Sequence, residues 1–325
     1  MTSKELVKCA IQFKGPERIP LSYPYDWRMS DIVNVDVVQN FIGPDKAASE
    51  WGFEWEHLEN ALAMGQPREP VIRTWADLAR YRAPDPHDPT RFDAMKRTRR
   101  ELGDGKYYKA NFVLSGFTTM IFLRGFTETL EDLYLERDHI EALADIVFGF
   151  EEEVIRQLKD QGFDAVGLAD DWGTQETLFI SPALWRELFK PRYRRQIELA
   201  HACGLDLYFH SCGYIYDIIP DLIEIGLDIL NPGQPNINGI QRLGEAFSGK
   251  IAFACPVSYQ TTGISGSAEE IYREVRELVE CLGNHGGGLI GHIPTDLPGL
   301  GAKLGNIEAM VDAFRTYGVR CAARP

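Results

Sequence analysis

The sequence has no apolar run near the roughly 20 residues that cross a bilayer. Its opening stretch, Met1-Thr-Ser-Lys-Glu-Leu-Val-Lys8, lacks the apolar centre of a signal peptide and reads as the start of an amphipathic helix. A cytoplasmic protein with no membrane partner is therefore expected. Positive charge is also short: 34 Lys and Arg face 48 Asp and Glu in 325 residues, a formal net charge of −14. Phosphate backbones need a basic surface, so nucleic acid is excluded as a partner class. There is no Cys-x-x-Cys knuckle, and the six cysteines (9, 203, 212, 255, 281 and 321) are scattered. No disulfide framework is expected, and any metal site has to be assembled from distant segments. Nor does a glycine-rich dinucleotide turn follow an early strand.

What is present is regular alternation. Gly162–Asp170 reads as a strand and Ser181–Cys203 as one helix, opened by a serine N-cap with proline behind it and stopped by Gly204. The strand ending at His210 follows, then a helix over Ile215–Ile225. The pattern continues with strand Asp228–Asn231, helix Gly239–Phe247 and strand Lys250–Cys255. A helix from Ser267 to Leu282, strand Gly288–His292 and helix Gly305–Tyr317 close it. Strands alternating with helices imply βα units and a parallel sheet. Upstream, Ile19–Pro24 and Lys109–Leu114 read as strands, and Trp51–Leu62 supplies the remaining one. That makes the eight strands of a single-domain (β/α)8 TIM barrel with an N-terminal helical extension. The polar stretch Pro67–Gly105 reads as an insertion, and an open doubly wound sheet is the alternative.

Catalytic groups of such barrels sit at the C-terminal strand ends. Here those ends read Asp170-Asp171-Trp172, His210-Ser-Cys212, Asn231, Cys255, and His292 with Asp296 beyond. Residues i and i+2 of a strand share a face, so His210 and Cys212 point the same way. An imidazole beside a thiolate suits zinc. With Cys255 they make a three-ligand set that leaves one position open, the pattern of a catalytic site. His292 and Asp296 are the competing third ligands, and Cys255 as a packed apolar residue is the plainer reading. Asp170 and Asp171 face opposite ways, one into the site as a base or orienting group and the other capping a turn. Trp172 offers a flat wall for a cofactor, or packing. The segment Tyr23-Pro-Tyr25-Asp-Trp27-Arg28 follows the first strand as a lid or rim, with Tyr25 and Arg28 as binding candidates. Glu54, Glu56, His57 and Glu59 are further acid or base candidates.

Ala169-Asp-Asp-Trp-Gly-Thr, Ser181-Pro182, Phe189-Lys-Pro191-Arg-Tyr193, His210-Ser-Cys-Gly and the closing Gly286-Gly-Gly…Asn306-Ile-Glu-Ala-Met together resemble the uroporphyrinogen decarboxylase superfamily. The resemblance is strong from Asp170 to Phe314 and implies the same barrel. Tetrapyrrole decarboxylases of that superfamily carry Met-Arg-Gln-Ala-Gly-Arg near the N-terminus, where this chain has Trp27-Arg28-Met29-Ser30. The other branch, zinc methyltransferases of corrinoid pathways, carries His-x-Cys on the fifth strand. The resemblance thus implies Zn2+ on His210 and Cys212, and methyl transfer between a small molecule and the cobalt of a corrinoid. The thiol-methylating members have a cysteine after the eighth strand, where this chain reads Gly291-His-Ile-Pro-Thr-Asp296. A non-thiol substrate such as an aromatic methyl ether is expected. No corrinoid-binding Asp-x-His-x-x-Gly module occurs, so a separate corrinoid protein is the implied partner, and a homodimer is compatible with the family. A metal-free lyase on an acidic substrate and a non-catalytic tetrapyrrole-binding barrel are the competing readings.

Overall fold

The computed structural model describes residues 1–43, 45–56, 65–295 and 297–319. Among them, eight strands form one sheet: β1 Leu21–Ser22, β2 Ile32–Asp36, β3 Tyr107–Phe112, β4 Ala165–Ala169, β5 Asp206–Ser211, β6 Ile229–Pro232, β7 Ala252–Cys255 and β8 Leu289–His292. Their order is β1-β8-β7-β6-β5-β4-β3-β2, and each pairing in it is parallel. With helices outside, this is a nearly closed (β/α)8 barrel.

Two apolar layers follow from strand alternation. The inner one holds Ile32, Tyr107, Ala165, Tyr208, Ile229, Ala252, Ala254 and Ile290, together with Val7 and Ile11. Those last two belong to the N-terminal helix Ser3–Ile11, opened by a capping box on Thr2, which plugs the barrel's N-terminal end. Lys8 fixes it by pairing with Asp206 at 2.6 Å. The outer layer joins the alternate strand residues, such as Leu207, Phe209 and Phe253, to the helices.

The seam between β1 and β2 is bridged by the Ser30 hydroxyl, which accepts the Tyr23 N–H at 2.8 Å, and above all by Asp31. Asp31 is 2% exposed. Its N–H donates to the Leu21 carbonyl at 2.8 Å, and its Oδ2 accepts from the Leu21 N–H at 2.9 Å. The same carboxylate takes two hydrogen bonds from Arg18 and one from Ser3 of the N-terminal helix.

Two expectations are corrected. The second barrel strand is Ile32–Asp36, not Trp51–Leu62. Trp51, Phe53 and Trp55 do alternate, but they bury outside the barrel against Phe150 and Phe122. Trp55–Glu56 pairs with Gln66–Pro67 in a small antiparallel ladder, and residues 57–64 lie outside the described residues. The chain from 37 to 106 is accordingly the β2–β3 connection. Arg91, almost fully buried, anchors it through Glu50 at 2.8 Å and the Val37 carbonyl at 2.7 Å. The helix expected over Ser181–Cys203 is two, Pro182–Leu188 and Lys190–Ala202, because Pro191 has no N–H to continue the first. Among the described residues, no helix is long and apolar enough to cross a membrane.

Replacing Asp31 by Ala removes the clamp on the seam and leaves Arg18 without its carboxylate. A loss of about 2–3 kcal/mol is expected, since Arg18 is partly solvated and recovers some of it in water. Urea unfolding of the two proteins measures it; a change below about 0.5 kcal/mol would contradict this role.

Candidate metal centre

Near the end of β5, His210 faces the barrel axis, and Cys212 follows in the loop. Asn231 sits beside His210 in the β5–β6 register. The Asn231 amide is oriented by its neighbour strand, because Nδ2 donates to the Ala254 carbonyl of β7. Its Oδ1 is thereby left to accept from His210 Nδ1 at 2.6 Å. The imidazole then carries its hydrogen on Nδ1 and presents the Nε2 lone pair outward, the arrangement typical of a ligating histidine.

Cys212 Sγ lies 3.4 Å from that Nε2, and Asp171 Oδ1 lies 3.7 Å from it. Asp171 also accepts the Cys212 N–H at 2.7 Å, which ties the β4 loop to the β5 loop. The three ligand atoms lie within 4.8 Å of one another. Tetrahedral zinc, with bonds of about 2.3 Å to sulfur and about 2.0–2.1 Å to nitrogen, sets sulfur and nitrogen about 3.5 Å apart. The donor set therefore fits zinc in spacing and in chemistry: one thiol, one imidazole, one carboxylate.

The loops that carry these groups are held by backbone contact. Gly213 has φ +77°, and a Cβ on it would fall 2.1 Å from the Gly173 carbonyl oxygen. Gln234 accepts the Gly213 N–H at 2.7 Å, and Asn238 accepts the Ile215 N–H at 2.9 Å. On the open side of the cluster, a Cβ on Gly233 would come within 2.9 Å of both Cys212 Sγ and the Tyr259 hydroxyl. Glycine thus leaves the space that a substrate atom would need. Tyr259, from the loop after β7, brings its hydroxyl 3.3 Å from Cys212 Sγ.

Other candidates are placed elsewhere. Cys255 is fully buried in the outer apolar layer, and burial pushes its thiol far up. Ala252 and Ala254 take the inward positions of β7, so Cys255 faces the helices and does not join the cluster. His292 is also outside it. Its Nδ1 is buried with no hydrogen-bond partner among the described residues, and burial, with the charges of Lys109 and His210, pushes its pKa down to about 3. Asp170 is fully buried and caps the helix Gly116–Arg124, accepting from the N–H groups of Phe117 and Thr118, the Thr118 hydroxyl and the Tyr193 hydroxyl. Of the two neighbouring aspartates, Asp171 is the one that faces the site.

Trp172 is a packing residue, stacked on Phe117 at 4.4 Å with its N–H on the Tyr193 hydroxyl at 2.8 Å. Asn231 orients His210 and is 2% exposed, so it is a positioning residue rather than a cofactor contact. Tyr25 does reach the β8 loop, its hydroxyl 2.8 Å from the Pro294 carbonyl. Arg28 is exposed, and its carbonyl accepts from Lys106 just before β3, towards the N-terminal end. Glu54 and Glu56 are exposed on the outer ladder, and His57, Glu59 and Asp296 lie outside the described residues. Two site groups had gone unnoticed in the sequence. Tyr259 carries no local signal, whereas Lys109 does: a charge in the middle of Tyr107-Tyr-Lys-Ala-Asn-Phe112.

Residues 61–317 match the family described as uroporphyrinogen decarboxylase (URO-D). The chain belongs to that family. A methyltransferase from Methanosarcina mazei is a structural neighbour of this URO-D member, with a TM-score of 0.70 and 17% identity over 98% of this chain and 99% of that one. At that identity the likeness is one of fold. A D-psicose 3-epimerase from Clostridium cellulolyticum H10 lies further off, with a TM-score of 0.47 and 12% identity over 90% of this chain and 91% of its own. No curated protein matches the sequence.

Beneath the centre, Glu151 accepts the Gly116 N–H at 2.7 Å and Gln196 Nε2 at 2.6 Å. Burial raises its carboxyl to about 8, with the Asp170 charge adding to the rise. An acid raised on folding holds its proton in the native state where the unfolded chain has released it. Stability should therefore fall as pH climbs from about 4.5 to about 8. Glu151→Gln should flatten that decline in thermal melts taken across the range; an unchanged slope would contradict the assignment.

Proposed function

We propose that this URO-D family member is a zinc-dependent methyltransferase that moves a methyl group between a small molecule, such as an aromatic methyl ether, and the cobalt of a corrinoid on a separate protein. The observation that carries the reading is the convergence of Asp171, His210 and Cys212 at the C-terminal mouth, beside the space left by Gly233. The M. mazei methyltransferase, which shares the fold over nearly its whole length, supports it. A cytoplasmic location belongs to the same proposal.

His210 Nε2, Cys212 Sγ and Asp171 Oδ1 would hold the ion. Bound there, zinc would supply a Lewis acid for an ether or phenolate oxygen. The chain's own residues do the rest. Asn231 holds the imidazole in the ligating tautomer. Asp171 holds the Cys212 backbone, keeping the thiol at the strand end. The Tyr259 hydroxyl is the nearby group able to share a proton with the oxygen that loses or gains the methyl group.

The metal-free lyase reading draws support from the family description. It asks for arginine and aspartate in the pocket, yet Asp170 is committed to a helix cap and Arg28 lies towards the opposite end.

Elemental analysis of the purified full chain should find about one zinc per chain. His210→Ala and Cys212→Ala should lose it, and Cys255→Ala and His292→Ala should keep it. Asn231→Ala should weaken zinc affinity about 10–100-fold. Zinc retained in Cys212→Ala, or no zinc bound by the wild type when supplied, would overturn the proposal.

A further inference from the structure

Lys109 is an anomaly in this barrel. It stands on the inward face of β3, paired in register with Asn34 of β2, and is 6% exposed. Lysine is almost never this buried without a partner. Among the described residues, no carboxylate lies within ion-pair distance of its Nζ and no acceptor takes its hydrogens. What it has is the face of Tyr208, whose ring centroid is 3.8 Å away. The chain is laid there deliberately: Gly167 of β4 has no side chain, and a Cβ at that position would meet Lys109 Cδ at 2.8 Å and Nζ at 3.0 Å.

Two other inward polar atoms of the interior have no hydrogen-bond partner among the described residues, Asn34 Oδ1 and His292 Nδ1. The charge on Lys109 is felt at His292, and Asp36 helps to hold the ammonium charged against a burial that lowers it to about 7. A buried cation with unspent donors, whose facing carboxylate Asp36 stands beyond ion-pair distance, has room in its bonding for a bound anion.

Tyr208 precedes His210 by two residues on the same face of β5, about 7 Å deeper along the strand, and the ammonium lies over its ring. We propose that Lys109 is an oxyanion-binding group that reads a carboxylate or sulfonate on the substrate, set about one aromatic ring's length from the atom at the metal centre. The inference rests on the methyl-transfer reading for the metal end of that molecule only. The anion end stands on Lys109, Gly167 and Tyr208. It assigns the substrate to small anionic compounds, held by the charged end in the barrel and by the reacting end at its mouth.

Equilibrium binding of benzoate and of benzenesulfonate to the full chain tests it, with benzamide as the uncharged control. At least one of the two anions should bind at least tenfold more tightly than benzamide, and the tighter of the two identifies the anion class. Lys109→Met should lower that affinity at least tenfold, with circular dichroism confirming an intact fold. Gly167→Ala, which displaces the ammonium without removing it, should also weaken binding. Cys212→Ala should bind the anion within about twofold of the wild type. Equal binding of anion and benzamide, or no binding of either anion, would overturn the proposal. So would affinity kept in Lys109→Met and lost in Cys212→Ala; that result would put the anion on the metal and leave the methyltransferase reading standing.

Discussion

Every second residue of a barrel strand faces the axis, and in a parallel barrel all the C-terminal ends open on one mouth. That alternation decides which of this chain's ligand-type residues can meet. It puts Tyr208, His210 and then Cys212 on one line, and Asn231 beside His210. It also turns Cys255 outward into the helical layer, although its strand ends at the same height. Gly291, next to Cys255 in register, faces the same way, since a Cβ on it would strike Phe314 of the closing helix. Among the described residues the cluster therefore offers one thiol, with a carboxylate from the neighbouring β4 loop as its third donor.

The interior of the barrel is layered by polarity. The N-terminal helix and the ring of Ile32, Ile229 and Ile290 seal the bottom with apolar contacts. Above them lie polar groups whose hydrogen bonds are only partly spent, Asn34, Lys109 and His292. At the top sit the cluster of Asp171, His210 and Cys212 and the Tyr259 hydroxyl. Buried groups left without partners cost stability, and proteins keep them where a ligand completes the bonding. The same mouth is braced by two buried acids: Asp170 and Glu151 satisfy the first N–H groups of the helix Gly116–Arg124.

Much of this was legible in the sequence where the signal is local. The last six barrel strands were found in place because apolar runs bounded by glycine and proline mark buried parallel strands. The pairing of His210 with Cys212 followed from a spacing of two. β2 escaped because two of its inward residues are Asn34 and Asp36, which read as surface polars, while the aromatic alternation at Trp51, Phe53 and Trp55 imitates a strand of the barrel. Of Asp170 and Asp171, only the fold says which stands beside His210 and Cys212 and which caps the helix Gly116–Arg124 rather than the turn that follows it. Trp172 and Cys255 take the packing alternative that the sequence left open for each, since sequence gives a residue's position along a strand and not the face it takes at a strand end. Tyr259 is brought in by tertiary structure alone.

The central claim is that the metal centre has one sulfur donor and two donors of nitrogen or oxygen from the chain. X-ray absorption at the zinc edge of the loaded protein tests this most directly. The account predicts a single sulfur at about 2.3 Å, with the remaining ligands nitrogen or oxygen at about 2.0–2.2 Å. Two sulfurs in the shell would contradict it, because Cys255 would then have to face the mouth and the alternation on which the site is built would fail.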